Sequence, residues 1–234
     1  MPLPLPRGQR WKWGLSKILS GESAGAQIRC GELDMDKFAV VYTEAIRKIV
    51  VDAGRDAVTA FEQMMGRKIA VEIAGIKVVQ ISEAAAVMGG PSTVVAGVYC
   101  RLAGALGGGF LLTFPEKDAI PLVDKIMARV EKSPELSEFD MSVLCEIGNI
   151  VAGSFVRALG KVLDQMLLIS VPKCSVDMLG AVIDLVLIEM AEKAEELLII
   201  EMKFEGIADN DIVGQFFLLP TPGTLELLAA ACKK

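Results

Sequence analysis

Ser137-Glu-Phe-Asp-Met-Ser142-Val-Leu-Cys-Glu146-Ile-Gly-Asn149-Ile-Val-Ala-Gly153-Ser-Phe-Val-Arg157-Ala-Leu-Gly160 is the stretch whose reading decides the fold. Ser137 followed three residues on by Asp140 has the spacing of a capping box, so a helix starts here. Leu144, Ile147, Val151, Phe155, Ala158 and Val162 recur at helical spacing and form one apolar stripe. An upstream stripe, Ile46, Ile49, Ala53, Ala57, Ala60 and Met64, superposes on it at an offset of 98 residues (144 − 46). Farther on, Gly109-Phe-Leu-Leu-Thr-Phe-Pro115 falls on Gly214-Gln-Phe-Phe-Leu-Leu-Pro220 after a few extra residues. One unit occurs twice.

The repeat predicts an α/β fold of the α+β kind. Two pseudo-symmetric halves share a largely antiparallel sheet with long helices packed on it. The first half, residues 35–132, reads as a helix from about Met35 to Gly66, strands at Lys68–Gly75 and Ile76–Ser82, and a short helix near Glu83–Met88. A hairpin Thr93–Ala103 and Leu106–Phe114 and a helix Glu116–Glu131 complete it. Lys132-Ser-Pro134-Glu is a linker. The second half, 133–234, carries the quoted helix to about Asp164, strands around Met166–Asp177, a helix Met178–Lys193, a hairpin Glu196–Phe204 and Asp211–Leu219, and a last helix from Thr221. Together, residues 35–234 make a single domain.

Residues 1–34 differ, with Pro2, Pro4 and Pro6 and both tryptophans, Trp11 and Trp13. They read as a disordered tail, or as a mis-assigned start with Met35 as the first residue; an aromatic docking arm is the other reading.

Composition narrows the function. The net charge of −6 argues against nucleic acid and against an anionic membrane surface. Mean hydropathy is high, +0.48, so membrane insertion has to be weighed. The best span, Val94 to Phe114, is interrupted by five glycines and reads as two strands instead. There is no histidine, which removes Ser-His-Asp and Cys-His catalysis. The five cysteines include no C-x-x-C pair and read as free thiols in a reducing cytosol.

Asn149 is one of only two asparagines. An amide in mid-helix is unfavourable relative to alanine, so it needs a reason. Ser142, Glu146, Asn149, Gly153 and Arg157 fall opposite the apolar stripe. An acid and an amide are thereby presented to solvent. Gly148 and Gly153 flank Asn149, which suggests close approach of a partner backbone. The bland alternative is a buried amide bonded to a strand, and the position opposite the stripe argues against it. In the first half the offset of 98 replaces Glu146 with Lys48, Asn149 with Val51 and Pro172 with Ala74. An offset of 99 gives Arg47, Val50 and Ile73. Gly104-Ala-Leu-Gly-Gly-Gly109 lies between two strands without a P-loop lysine and reads as a hairpin turn or bulge.

Ser142-x-x-x-Glu146-x-x-Asn149, with 22 residues between Asn149 and Pro172, resembles the CheC/CheX/FliY family of chemotaxis phosphatases. The match is to a CheC-like member with one intact active centre, across residues 35–234. The resemblance implies a cytoplasmic hydrolase of two-component signalling that dephosphorylates the phosphoaspartate of a CheY-type response regulator. Asn149 would orient water for in-line attack and Glu146 would pair with the receiver's active-site lysine. Ser142, Gly153 and Pro172 would support the face. No cofactor of its own is implied, since the receiver supplies Mg²⁺. The receptor deamidase CheD is a further implied partner. A non-catalytic module is the implied alternative, acting as a CheD regulator or as an adaptor like the flagellar-switch protein FliM, which lacks the Glu–Asn pair.

Overall fold

The computed structural model describes residues 28–30, 40–65, 70–87, 89–104, 106–190, 196–205, 212–221 and 224. The order is β1 (Ile28–Cys30), α1 (Val40–Met65), β2 (Ala70–Gln80), α2 (Ile81–Val87), β3 (Val94–Gly104), β4 (Gly108–Pro115), α3 (Glu116–Ile126), α4 (Glu138–Leu163), β5 (Leu167–Ile169), β6 (Lys173–Met178), α5 (Leu179–Met190), β7 (Glu196–Glu205) and β8 (Ile212–Pro220).

The duplication is visible in the bounds. Helices α1 and α4 both have 26 residues, and both ends differ by 98 (138 − 40 and 163 − 65). The last residues of β2 and β6 differ by 98 as well (178 − 80). The register between the halves is therefore 98 rather than 99. The sheet runs β1-β2-β7-β8-β4-β3-β5, with β6 also on β3. Exchanging β2, β3 and β4 for β6, β7 and β8 reverses this order, so a pseudo-twofold passes between β4 and β8. Each half lends its first strand to the other half's hairpin: β2 pairs with β7 and β6 with β3. All pairs are antiparallel except β1 with β2. β1 belongs to the stretch expected to be a tail, and residues 1–27 lie outside the described residues.

Two cores sandwich the sheet. On one face α1, α3 and α4 cover Val98, Cys100, Leu102, Phe110, Leu112 and Phe216. On the other, α2 and α5 cover Val95, Tyr99, Leu111 and Phe217. β4 is buried on both faces, which explains its unbroken apolar run Gly-Phe-Leu-Leu.

Two expectations need correction. The two strands expected at 68–82 are one strand. Ile73 pairs with Met202 and Gly75 with Glu201, so Ala74 is an extra residue, a bulge rather than a break. The strands expected around Met166–Asp177 are present as β5 and β6. Leu102 pairs with Ile169 and Tyr99 with Lys173. Three residues, Ser170 to Pro172, therefore face two, Cys100 and Arg101. Pro172 has no N–H to give the ladder, and it sits 98 residues after Ala74: both halves bulge at one place. Helix α3 stops at Ile126, not Glu131, because Ala128 turns left-handed (φ 52°) and the Arg129 N–H closes back on Asp124 O at 2.9 Å. The expected Val94–Phe114 hairpin is present as β3 and β4. Beyond Thr221, the last helix lies outside the described residues except Thr224.

By length and composition α4 alone among the described helices is apolar enough to cross a membrane. Here its apolar side is packed on β3, β5, β6 and α1.

Candidate functional site

The site is built on α4, and its N-terminus is pinned first. The Ser137 N–H donates to Asp140 Oδ2 at 2.9 Å, and the Asp140 N–H returns to Ser137 Oγ at 3.3 Å. This is the capping box that the spacing predicts. Arg129 was not singled out by the sequence, yet it is the hub. Its guanidinium donates to Asp140 Oδ1 and, at 3.1 Å, to Asp124 Oδ1. Ser133 adds its N–H and hydroxyl to the Asp124 carboxylate at 2.9 and 2.6 Å. The Arg129 hydrogen bond holds the Asp140 carboxyl below its ordinary range despite burial. At Asp124 burial pushes upward, but the bonds from Ser133 and Arg129 outweigh it and the net shift is downward. Nothing in the local sequence marks Arg129, which lies in a stretch that reads as helix. The network ties the end of α3 to the start of α4.

Along α4 the expected stripe is buried at Leu144, Ile147, Val151, Phe155 and Ala158, and Val162 packs at its margin. Ser142 and Glu146 are exposed, while Asn149 and Gly153 are half-buried. Ser142 Oγ donates to Glu138 O at 3.2 Å, a local bond within its own helix. Among the described residues, no hydrogen bond or ion pair engages the Glu146 carboxylate or the Asn149 amide. The bland reading of Asn149 as an amide bonded to a strand therefore fails. Arg157 leaves the group: it donates to Ser154 Oγ at 2.9 Å and reaches Asp56 of α1 at 3.9 Å.

The two glycines separate. Gly148 is buried against β3, where an added Cβ would lie 2.8 Å from Val98 Cβ. Its lack of a side chain lets α4 settle on the sheet, and the expectation that it admits a partner is corrected. At Gly153 an added Cβ would meet only Arg157 Nη1, at 3.5 Å, so that position is open.

Pro172 closes the bulge between β5 and β6, and Ser170 anchors it. The Ser170 N–H donates to Arg101 O and the Arg101 N–H to Ser170 Oγ, both at 2.9 Å. α4 packs on both strands. Cys145, next to Glu146, is disulfide-bonded to Cys174, two residues past Pro172, with the Cα atoms 5.9 Å apart. This corrects the expectation of free thiols at these two positions. Their spacing of 29 carried no pairing signal; only the fold brings them together. Among the described residues no three His, Cys, Asp or Glu side chains cluster around a metal-sized site.

A model of the CheC-like family matches residues 139–176, which span Glu146, Asn149 and Pro172. The chain is 31% identical over 185 residues to the CheY-P phosphatase CheC of Bacillus subtilis (strain 168), covering 77% of this chain and 88% of that one. In structure it is similar to FliY of Thermotoga maritima, with a TM-score of 0.67 and 18% identity over 84% of this chain and 98% of that one. It is also similar to FliM in the FliM–SpeE complex of H. pylori, with a TM-score of 0.62 and 13% identity over 84% and 97%. At these identities the two structures speak to the fold alone.

Proposed function

The chain belongs to the CheC-like family, and on that premise we propose that it is a phosphatase acting on the phosphoaspartate of a CheY-type receiver domain in chemotaxis. The observation that carries the reading is the state of Glu146 and Asn149. They sit one turn apart on a pinned helix, facing outward, with both polar heads unengaged among the described residues. Unsatisfied polar groups held on a rigid element are what a docking substrate requires.

The chemistry needs little more. Phosphoryl transfer is helped by positioning and charge stabilisation rather than by covalent catalysis. In this reading the Asn149 carboxamide accepts a hydrogen bond from one water and aims it in line with the departing aspartyl oxygen. It does not titrate, so it works in one form across the physiological pH range. Holding the water in attack geometry supplies about 10²-fold in rate. Glu146 pairs with the lysine of the receiver's own active site and fixes the docking register. Mg²⁺ enters with the receiver, and the reaction takes place in the cytoplasm.

The adaptor alternative has one observation in its favour. The first half holds Lys48 and Val51 at the equivalent places, so its helix offers no second acid–amide pair. A receiver domain loaded with a small phosphodonor separates the two readings. Added chain should speed phosphate release by tenfold or more over the receiver's own decay. Tight binding with unchanged release, or binding to CheD alone, would favour the adaptor.

A further inference from the structure

We propose that Cys145 and Cys174 form a reversible thiol–disulfide site whose exchange partner is a small disulfide of the glutathione type. Its redox state sets the activity of the α4 surface; that coupling rests on the phosphatase reading, while the exchange site itself does not.

The bond lies at an unusual place. Cys145 immediately precedes Glu146 on α4, and Cys174 follows Pro172 by two residues on β6. Val98, the register partner of Cys174, is also the residue on which Gly148 rests. A single cross-link thus joins the helical turn carrying Glu146 and Asn149 to the bulged strand that flanks it. β6 is an edge strand, paired among the described residues only with β3. Edge strands held on one side open more readily than central ones. Without the bond, β6 is held beneath that turn by its ladder to β3 along one edge and by packing.

Both sulfurs belong to half-buried residues. Cys100 provides the contrast. It is free, buried in the helix-covered core, and burial pushes its thiol up to about 11, so it stays an inert thiol. In a reducing cytosol disulfides are as a rule transient and redox-sensing.

The exchange balances without further reactants. One protein thiolate attacks a sulfur of the small disulfide and expels one small thiol, leaving a mixed disulfide. The second protein thiolate attacks the protein sulfur of that mixed disulfide and expels the other small thiol. Two protein thiols are oxidised, one small disulfide is reduced to two thiols, and the two protons pass to the leaving thiolates. Reduction is the reverse.

The test equilibrates the full chain in a series of reduced-to-oxidised glutathione mixtures, followed by differential alkylation and peptide mapping. Trypsin cuts after Lys132, Arg157, Lys173 and Lys193, which separates Cys145 from Cys174. The expected result is that the two thiols gain and lose protection together as the ratio changes. Receiver dephosphorylation should be about tenfold slower in the reduced form, since small misplacements at a positioning site cost up to about 10²-fold. Cys174→Ser should run at the reduced rate in every mixture. Cys145 and Cys174 alkylating fully in every mixture would overturn the exchange site. Equal rates in bridged and reduced wild type, a comparison that needs no variant to fold, would overturn the coupling. A bridge that opens and closes while neither form dephosphorylates the receiver would sink the phosphatase reading and the coupling together, and would uphold the exchange site.

Discussion

Gly148 of α4 rests on Val98 of β3 with no room between them: a methyl carbon on Gly148 would lie 2.8 Å from Val98 Cβ. This contact sets how far the helix stands off the sheet, and so where Asn149, the next residue, is held. Gly148→Ala should lower stability by about 1–3 kcal/mol through overpacking, although alanine favours the helix by about 1 kcal/mol. The change is read as a lower denaturant midpoint at unchanged slope. Val98→Ala in the same chain should recover part of the loss, whereas purely additive effects would show that the two residues do not press on each other.

At Gly153 the same substitution should act in the opposite direction. The added methyl meets only the end of Arg157, 3.5 Å away. Gly153→Ala should therefore raise stability by about 0.5–1 kcal/mol. A loss would mean that this turn of α4 is packed more tightly than the structure has it.

Asp140 gives the fold a defined acid limb. The Arg129 bond depresses its carboxyl in the folded state. A depressed carboxyl stabilises the fold above its unfolded value, about 3.9, and that contribution fades as pH falls through the lower folded value. Stability of the wild type should thus fall off below about pH 4, and Asp140→Asn should flatten that fall. At neutral pH Asp140→Ala should cost about 2–3 kcal/mol, from a lost cap and an unpaired partner. An unchanged acid profile in urea titrations would remove Asp140 from the account.

Phe139 stands two helical turns before Glu146 on the same face of α4, and it is 58% exposed. A large aromatic left out of the core beside a docking acid is the residue type that anchors interfaces. Phe139→Ser should raise the receiver concentration needed for half-maximal rate by about tenfold, and Glu146→Lys by at least as much. Neither should shift the thermal midpoint by more than about a degree or two, since both side chains are exposed. Unchanged concentration dependence in both would move the docking face elsewhere.

Much of this was legible in the chain. The stripe Leu144 to Val162 and its copy 98 residues upstream announce the duplicated helices, and Ser137 with Asp140 marks where the second begins. Glu146 and Asn149 were legible because polar groups opposite an apolar stripe need a reason. Other features were not. Ala74 and Pro172 are bulges, and a bulge is defined by the strand across from it, so β2 reads as two strands and neither residue is marked as a bulge. Gly148 reads as an opening because the sequence does not say that Val98 lies beneath it. The Arg129 hub and the Cys145–Cys174 bond join residues 11 and 29 apart, spacings that mean nothing until α3, α4 and β6 are assembled.

The central claim is that Asn149 positions the attacking water. Its most direct test is single-turnover phosphate release from a phosphorylated receiver with the chain in saturating excess, wild type against Asn149→Ala, after binding has been measured separately. The account predicts a rate about 10²-fold lower for the variant, with affinity for the receiver changed less than about threefold. Equal rates at saturation would contradict it.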